Sequence, residues 1–236
     1  MSEISTEIGQ RIRNFRKMRH MTLENMASAI HKSKSTISKY EKGEIAIDIE
    51  TLYEIAEVLD IHVEQLLYCS KERVAMNLES SSNPAFFSGL SRFYAYFFDG
   101  RINRIVPCIF DIMAKTKSGR YKVMMYMNFK NYDEYQICES TYWGYIEHYD
   151  AVTNILMTNQ DTSMERASVQ ILAPYLDGRV KWGLWKGFSS RPLMPVATKM
   201  MITKEPVKMD DELAEKLKIS KEDIKLMKTY NMLIVV

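Results

Sequence analysis

Residues 33 to 43 read Ser33-Lys34-Ser35-Thr36-Ile37-Ser38-Lys39-Tyr40-Glu41-Lys42-Gly43, and they decide the fold of the first part of the chain. Taken as a helix, the stretch opens on Ser33, whose hydroxyl caps an unpaired amide, and closes at Gly43, which can turn left-handed. Ile37 and Tyr40 fall three apart on one face, while Lys34, Ser35, Ser38 and Lys39 occupy the other face and its flanks. A major groove presents base acceptors between two rails of phosphate, and short hydroxyls and lysines near a helix N-terminus suit it. The stretch therefore reads as a DNA recognition helix. Its candidate contacts are Lys34, Ser35, Thr36, Ser38 and Lys39, with Lys42 beside them. Taken alone, the same pattern also describes a solvated amphipathic surface helix.

The preceding residues decide between the two. Thr22-Leu23-Glu24-Asn25-Met26-Ala27-Ser28-Ala29-Ile30 has a capping Thr22 and apolar residues at 23, 26, 27 and 30, which is helical spacing. Only His31 and Lys32 separate Ile30 from Ser33, so the two helices must meet steeply across a short turn. With T-x-E-x-x-A in the first helix and S-x-S-T-I-S-K-x-E-x-G in the second, residues 4 to 68 resemble the DNA-binding domain of the XRE, or phage Cro-like repressor, helix-turn-helix family. The resemblance implies five helices and an ion pair between Arg16 and Glu41 that ties the first helix to the recognition helix. Without it, Arg16 is simply a surface arginine available to phosphate. The chain departs from the family pattern at His20, His31 and Asp60, which fill slots usually held by Gly. His and Asp tolerate positive φ better than most residues, so the fold remains accessible. A further departure is Leu23, where many members carry a phosphate-contacting Gln. Thr22 or the helix N-terminal amides are then expected to make that contact.

Charge is segregated along this region. Residues 10 to 42 hold nine Lys or Arg, including Arg11, against two acids, a net of +7, whereas residues 43 to 68 hold seven acids and no Lys or Arg. The first block suits a phosphate-binding face, to which Arg11 is assigned, and the second belongs away from the duplex. Helices are expected from about Glu7 to Arg19, with Ile8, Ile12 and Phe15 inward, after Asp48 as N-cap, and around Val63 to Leu67. At 236 residues the chain has room for a second domain. The expected division is residues 1–68, a linker at 69–83, and a second domain at 84–236.

From Pro84 onward the texture changes. The second part carries 22 of the 26 aromatic residues and 12 of the 17 methionines, a composition that favours strands. Asp99-Gly100 stands between the apolar runs 93–98 and 102–113, a strong hairpin signal. Ser118-Gly119 and Asp177-Gly178 repeat the device, and further strands are expected at 121–129, 142–148, 152–157, 167–172, 180–184 and 196–203. So many antiparallel strands favour a curled sheet or barrel, since closure removes exposed edges. Two short helices follow, one after Asp210 and one capped by Ser220 with Asp223 three residues on. The fold class is thus α+β: an all-α five-helix N-terminal domain and a mainly antiparallel β C-terminal domain.

Several strands are apolar on both faces. In residues 123–129, Val123, Met125, Met127 and Phe129 share one face, and Met124 and Tyr126 the other. One face fills a core and the second must meet helices, a partner subunit or a ligand. Met125, Met127, Trp182 and Trp185 are the candidate lining of a small-molecule pocket, with an ordinary core and dimer interface as the alternative. Catalytic patterns are missing from the sequence. His148 has no ligand-spaced partner for a metal, and the sequence contains no Ala-Gly or Cys-Gly dipeptide, the bond that self-cleaving repressors of this kind use. No metal, cofactor or enzymatic activity is expected. The cysteines Cys69, Cys108 and Cys138 lie far apart, as free thiols do in a reducing compartment, and no apolar run is long enough to span a bilayer. The sequence thus describes a cytoplasmic, dimeric transcriptional regulator, read as a repressor on a palindromic operator, whose second domain responds to a small-molecule effector. The alternative makes that domain a pure oligomerisation or protein-partner module.

Overall fold

The computed structural model describes residues 3–67, 84–116, 119–172, 174–190 and 193–235. The chain forms two compact units, dividing between residues 74 and 75. The expected linker 69–83, with Cys69, lies outside the described residues.

Among the described residues, the first unit has five helices: α1 (Glu3–Met18), α2 (Leu23–Ala29), α3 (Lys34–Glu41), α4 (Ile49–Val58) and α5 (Val63–Leu66). Three of them start where a short polar side chain meets the third amide beyond it. Thr22, Ser33 and Asp48 accept from the backbone N–H of Asn25, Thr36 and Thr51 at 3.1, 3.0 and 2.8 Å. Four helix ends share one device, in which a residue with positive φ lets the next amide donate back across the last turn. Those residues are His20 (φ 55°), His31 (52°), Gly43 (68°) and Asp60 (53°). The following amides, of Met21, Lys32, Glu44 and Ile61, reach the carbonyls of Arg16, Ala27, Lys39 and Ala56 at 2.9–3.0 Å. Ile12, Phe15, Met26, Ala27, Ile30, Ile37, Tyr40, Leu52, Ile55 and Leu59 form the buried core. Burial of this stripe from each helix outweighs the modest propensity of such short segments.

The second unit is a closed barrel of eight antiparallel strands in sequence order. They are β1 (Arg92–Asp99), β2 (Arg104–Lys115), β3 (Tyr121–Phe129), β4 (Cys138–His148), β5 (Val152–Asn159), β6 (Arg166–Leu172), β7 (Val180–Ser190) and β8 (Leu193–Thr203). β8 closes on β1 through Ala95 opposite Ile202, so each of the described strands has a neighbour on both sides. Inward side chains, among them Phe93, Ala95, Cys108, Phe110, Val123, Met125, Ile146, Ile155, Val169 and Met200, fill the interior. One end is plugged by the 3-10 turn Ala85–Phe87, whose Phe87 ring meets Phe93 edge-on at 5.4 Å and His148 at 4.8 Å. The second apolar face is covered from outside by α6 (Asp211–Leu217) and by Tyr132 and Tyr135. Leu213, Leu217 and Tyr135 are buried there with Tyr94, Tyr96, Ile109, Met124 and Tyr126. Arg92 and Tyr135 both donate to Asp111, at 2.6 Å each, which fixes that cover to β1 and β2. The last helix, α7 (Lys221–Tyr230), starts on the expected Ser220 and Asp223 capping box.

Two details depart from the sequence reading. The β1–β2 hairpin does not turn on Asp99-Gly100. Asp99 pairs with Arg104 across a four-residue loop, Asn103 takes the positive φ of 50°, and Asp99 accepts from the Arg101 amide at 2.9 Å. In β3 the alternation breaks at Asn128, which has φ 60°. Phe129 is thereby moved off the face of Met125 and Met127 and joins the outer cluster with Tyr132 and Tyr135.

Candidate nucleic-acid interface and barrel cavity

The recognition helix is held by a buried ion pair at its C-terminal end. Arg16 of α1 donates to both Glu41 oxygens, at 2.5 and 3.0 Å, and to the Met21 carbonyl at 2.8 Å. Both charged side chains are at most a tenth exposed, and the hydrogen bond to Glu41 raises the Arg16 pKa above its ordinary value. α1 comes so close to α3 that a Cβ on Gly9 would lie 2.2 Å from the Tyr40 carbonyl oxygen. Gly43 is equally confined, since its Cβ would lie 2.5 Å from the Cα of Thr6. The role of Gly9 was not visible in the sequence, where a lone Gly in a helical pattern carries little signal.

With Ile37, Tyr40 and Glu41 buried, the opposite side of α3 faces outward. Lys34, Ser35 and Lys39 are exposed and Thr36 and Ser38 half-buried, with exposed Thr22 at the start of α2 and exposed Lys42 at the end of α3. Ser33 and Thr36 share a hydroxyl hydrogen bond of 2.8 Å, which orders the helix start. Lys34 pairs with Glu24 of α2, and that hydrogen bond lowers the Glu24 pKa. Lys42 lies 3.6 Å from Glu44. Arg11 is placed differently from the other candidates. Its guanidinium donates to the Leu66 carbonyl at 3.1 Å and to Glu7 at 2.5 Å, so it ties α1 to the end of α5. Arg19 likewise donates to the carbonyls of Leu59 and Asp60, at 3.1 and 2.9 Å. Part of the basic block thus anchors the acidic helices, while Lys34 and Lys39 lie on α3 and Lys42 at its end.

The barrel has a cavity of about 500 Å³ at the mouth opposite the Phe87 plug, formed by the ends of the strands and their loops. Met127 and Trp185 line it. The other two pocket candidates lie elsewhere. Met125 is sealed in the barrel core. Trp182 packs in the outer cluster with Lys199 5.7 Å over its ring, because residues three apart on a strand take opposite faces. In the cavity wall, Phe97 and Trp185 stack at 6.2 Å, and Tyr142 meets Trp185 edge-on at 5.9 Å. The Tyr142 hydroxyl donates to Glu165 at 2.6 Å, and buried Asn159 donates to the other Glu165 oxygen at 3.1 Å. Burial and that carboxylate raise the Tyr142 pKa, so the phenol stays a donor. Phe188 and Met194, each more than two-fifths exposed, form an apolar rim. Glu165 was missed in the sequence because nothing local marks a carboxylate whose partners come from other strands.

At the plugged end, His148 Nδ1 hydrogen-bonds the Thr153 hydroxyl at 2.9 Å, and Nε2 has no partner among the described residues. Burial pulls its pKa down to about 4. Cys108 is sealed in the barrel core, and burial pushes its thiol pKa up. Among the described residues, no three His, Cys, Asp or Glu side chains are grouped to hold a metal ion, and no helix is long and apolar enough to cross a membrane.

Residues 12–66 match the family model described as Helix-turn-helix. SinR, the master regulator for biofilm formation, solved in complex with DNA, is 34% identical over 26% of this chain and 98% of its own, with a TM-score of 0.25. The clp gene regulator ClgR from Corynebacterium glutamicum is 25% identical over 28% of this chain and 87% of its own, with a TM-score of 0.27. The Fe(II) enzyme HppE aligns with 87% of this chain and 93% of its own, at 12% identity and a TM-score of 0.27. No curated protein matches the chain.

Proposed function

The N-terminal unit belongs to the XRE-type helix-turn-helix family of DNA-binding transcriptional regulators, and from that premise we propose that the whole chain acts as a dimeric repressor whose barrel reads a small-molecule signal. The observation that carries the sensing part is the mouth cavity. Its volume of about 500 Å³ falls in the range of small-molecule sites, and it joins an aromatic wall to a few convergent polar groups. Dimerisation follows from the geometry of DNA. One α3 covers a half-site of a few base pairs, and useful affinity needs two copies about one helical turn apart. A ligand then controls binding by favouring one arrangement of the two helix-turn-helix units over another. The barrel in this role binds a ligand and carries out no reaction.

A second reading, in which the barrel only joins subunits, draws on a different surface. Trp143 of β4 and Leu156 of β5 point outward as diagonal neighbours, 41% and 58% exposed, and such side chains suit a subunit contact. Light scattering of the full chain, together with operator affinity measured across a metabolite panel, separates the readings. Twice the monomer mass and a compound that shifts operator affinity support the sensor. Twice the mass with no responsive compound supports the simple dimerisation module, and a stable monomer contradicts both.

A further inference from the structure

Within the proposed sensing cavity, one carboxylate is held in place by two buried donors. Glu165 enters the cavity at the start of β6, and each oxygen already accepts one hydrogen bond, from Tyr142 at 2.6 Å and from Asn159 at 3.1 Å. Both donors are buried, and Asn159 is itself fixed by accepting from the amides of Asp161 and Thr162 at 2.8 and 3.3 Å. No cation among the described residues pairs with Glu165. A carboxylate offers about four acceptor positions, so two strong bonds orient it without exhausting it.

The remaining charges at the mouth do not answer it. Arg101 is taken by Asp99, with bonds of 2.6 and 3.0 Å from its guanidinium, and it also feels the charge of Glu139. Glu139 accepts from Asn128. Arg104 is exposed at the rim. The lining thus sets two arginines against the three acids Asp99, Glu139 and Glu165. Tyr142, which bonds Glu165, meets Trp185 edge-on, and Trp185 in turn stacks on Phe97 along the same cavity wall; the faces of such rings attract cations. A fixed carboxylate against an aromatic wall favours positive charge and penalises negative charge, and the apolar rim of Phe188 and Met194 suits a hydrocarbon body.

We infer that the barrel mouth binds an organic ammonium ion with an apolar body, its cationic head on Glu165 and the Trp185 wall. This rests on reading the cavity as a ligand site, and the experiment separates the two claims. The full chain is titrated by calorimetry, and by tryptophan fluorescence in a Trp143→Phe, Trp182→Phe background that leaves Trp185 as the only indole. The probes are 2-phenylethylammonium, 2-phenylethanol and 3-phenylpropanoate, close in shape and differing in charge. The ammonium is expected to bind about tenfold or more tighter than the alcohol, the advantage of one desolvated charge contact, with the carboxylate weakest. Glu165→Gln should remove that advantage, bringing the ammonium to within about twofold of the alcohol in the same variant. Trp185→Phe, which keeps an aromatic wall, should reduce it only in part.

Equal binding of all three probes, tighter binding of 3-phenylpropanoate, or an ammonium preference that survives Glu165→Gln would each overturn the inference. In those outcomes the cavity remains a ligand site. Binding of none of the three would overturn the inference and the ligand-site reading together.

Discussion

Arg16 of α1 and Glu41 of α3 form a two-pronged ion pair, 2.5 and 3.0 Å long, at the buried junction of the two helices. Removing one partner strands a buried charge, which costs about 3–5 kcal/mol, whereas removing both for apolar side chains of similar size is often close to neutral. Arg16→Met and Glu41→Leu should therefore each destabilise the helix-turn-helix unit strongly. The double variant should recover most of the loss, as read from urea unfolding of the full chain. Additive losses would mean that the two side chains act independently.

The helix ends make a second prediction, of opposite sign. His31 and Asp60 hold positive φ where Gly would carry no side-chain penalty. His31→Gly and Asp60→Gly should raise stability by up to about 1 kcal/mol each, the relief of backbone strain exceeding the added chain entropy. Gly43→Ala should lower it, since the new Cβ would collide with the backbone of Thr6. Thermal melting of the four proteins checks all three signs.

Those positions also show what was legible in the sequence. Caps at Thr22, Ser33 and Asp48, the unusual C-cap residues and the Arg16–Glu41 pair all rest on local spacing or on a family pattern, and the structure has each of them. The barrel was legible only as a class, because strand alternation fixes which face a residue takes but not which end of a closed ring it occupies. Met125 and Met127 share a face, yet one is sealed in the core and the other lines the mouth. Arg11 looked like part of the basic face because its bonds to Leu66, far along the chain, leave no local trace. The turn at residues 99–104 was found but its mechanics were not, since an Asp side chain and an Asn in positive φ replaced the expected Gly.

On DNA, the exposed side of α3 sorts its lysines. Lys39→Ala should cost about 1–3 kcal/mol on the specific site and less on random duplex if Lys39 reads a base edge. Lys42→Ala should weaken both alike and reduce the salt slope by about one, the signature of a phosphate contact. Glu24→Ala should tighten binding, because it frees Lys34 and removes an acid from the interface. Arg11→Ala should lower stability without changing the salt slope. Titrations at several salt concentrations check each assignment, and a Lys39→Ala loss equal on both duplexes would reduce that residue to a phosphate contact.

His148 should give the barrel a pH response. With its pKa at about 4 against an ordinary value of 6.5, the unfolded chain takes up a proton first as pH falls. The buried imidazole contributes no penalty above pH 6.5. Between 6.5 and about 4 stability declines, by at most about 3 kcal/mol, and below that this contribution levels off. His148→Gln, which keeps a polar group near Thr153 but does not titrate, should flatten that part of the stability profile. An unchanged slope would assign the acid sensitivity to other groups.

Selection of binding sites from a random duplex pool by the full chain tests most directly the claim that α3 reads DNA sequence for a dimeric regulator. The account predicts enrichment of two inverted half-sites about one helical turn apart, with the preference lost or altered by Lys39→Ala combined with Ser35→Ala. A pool that yields no enriched sequence, or an enriched site unaffected by those substitutions, would contradict it.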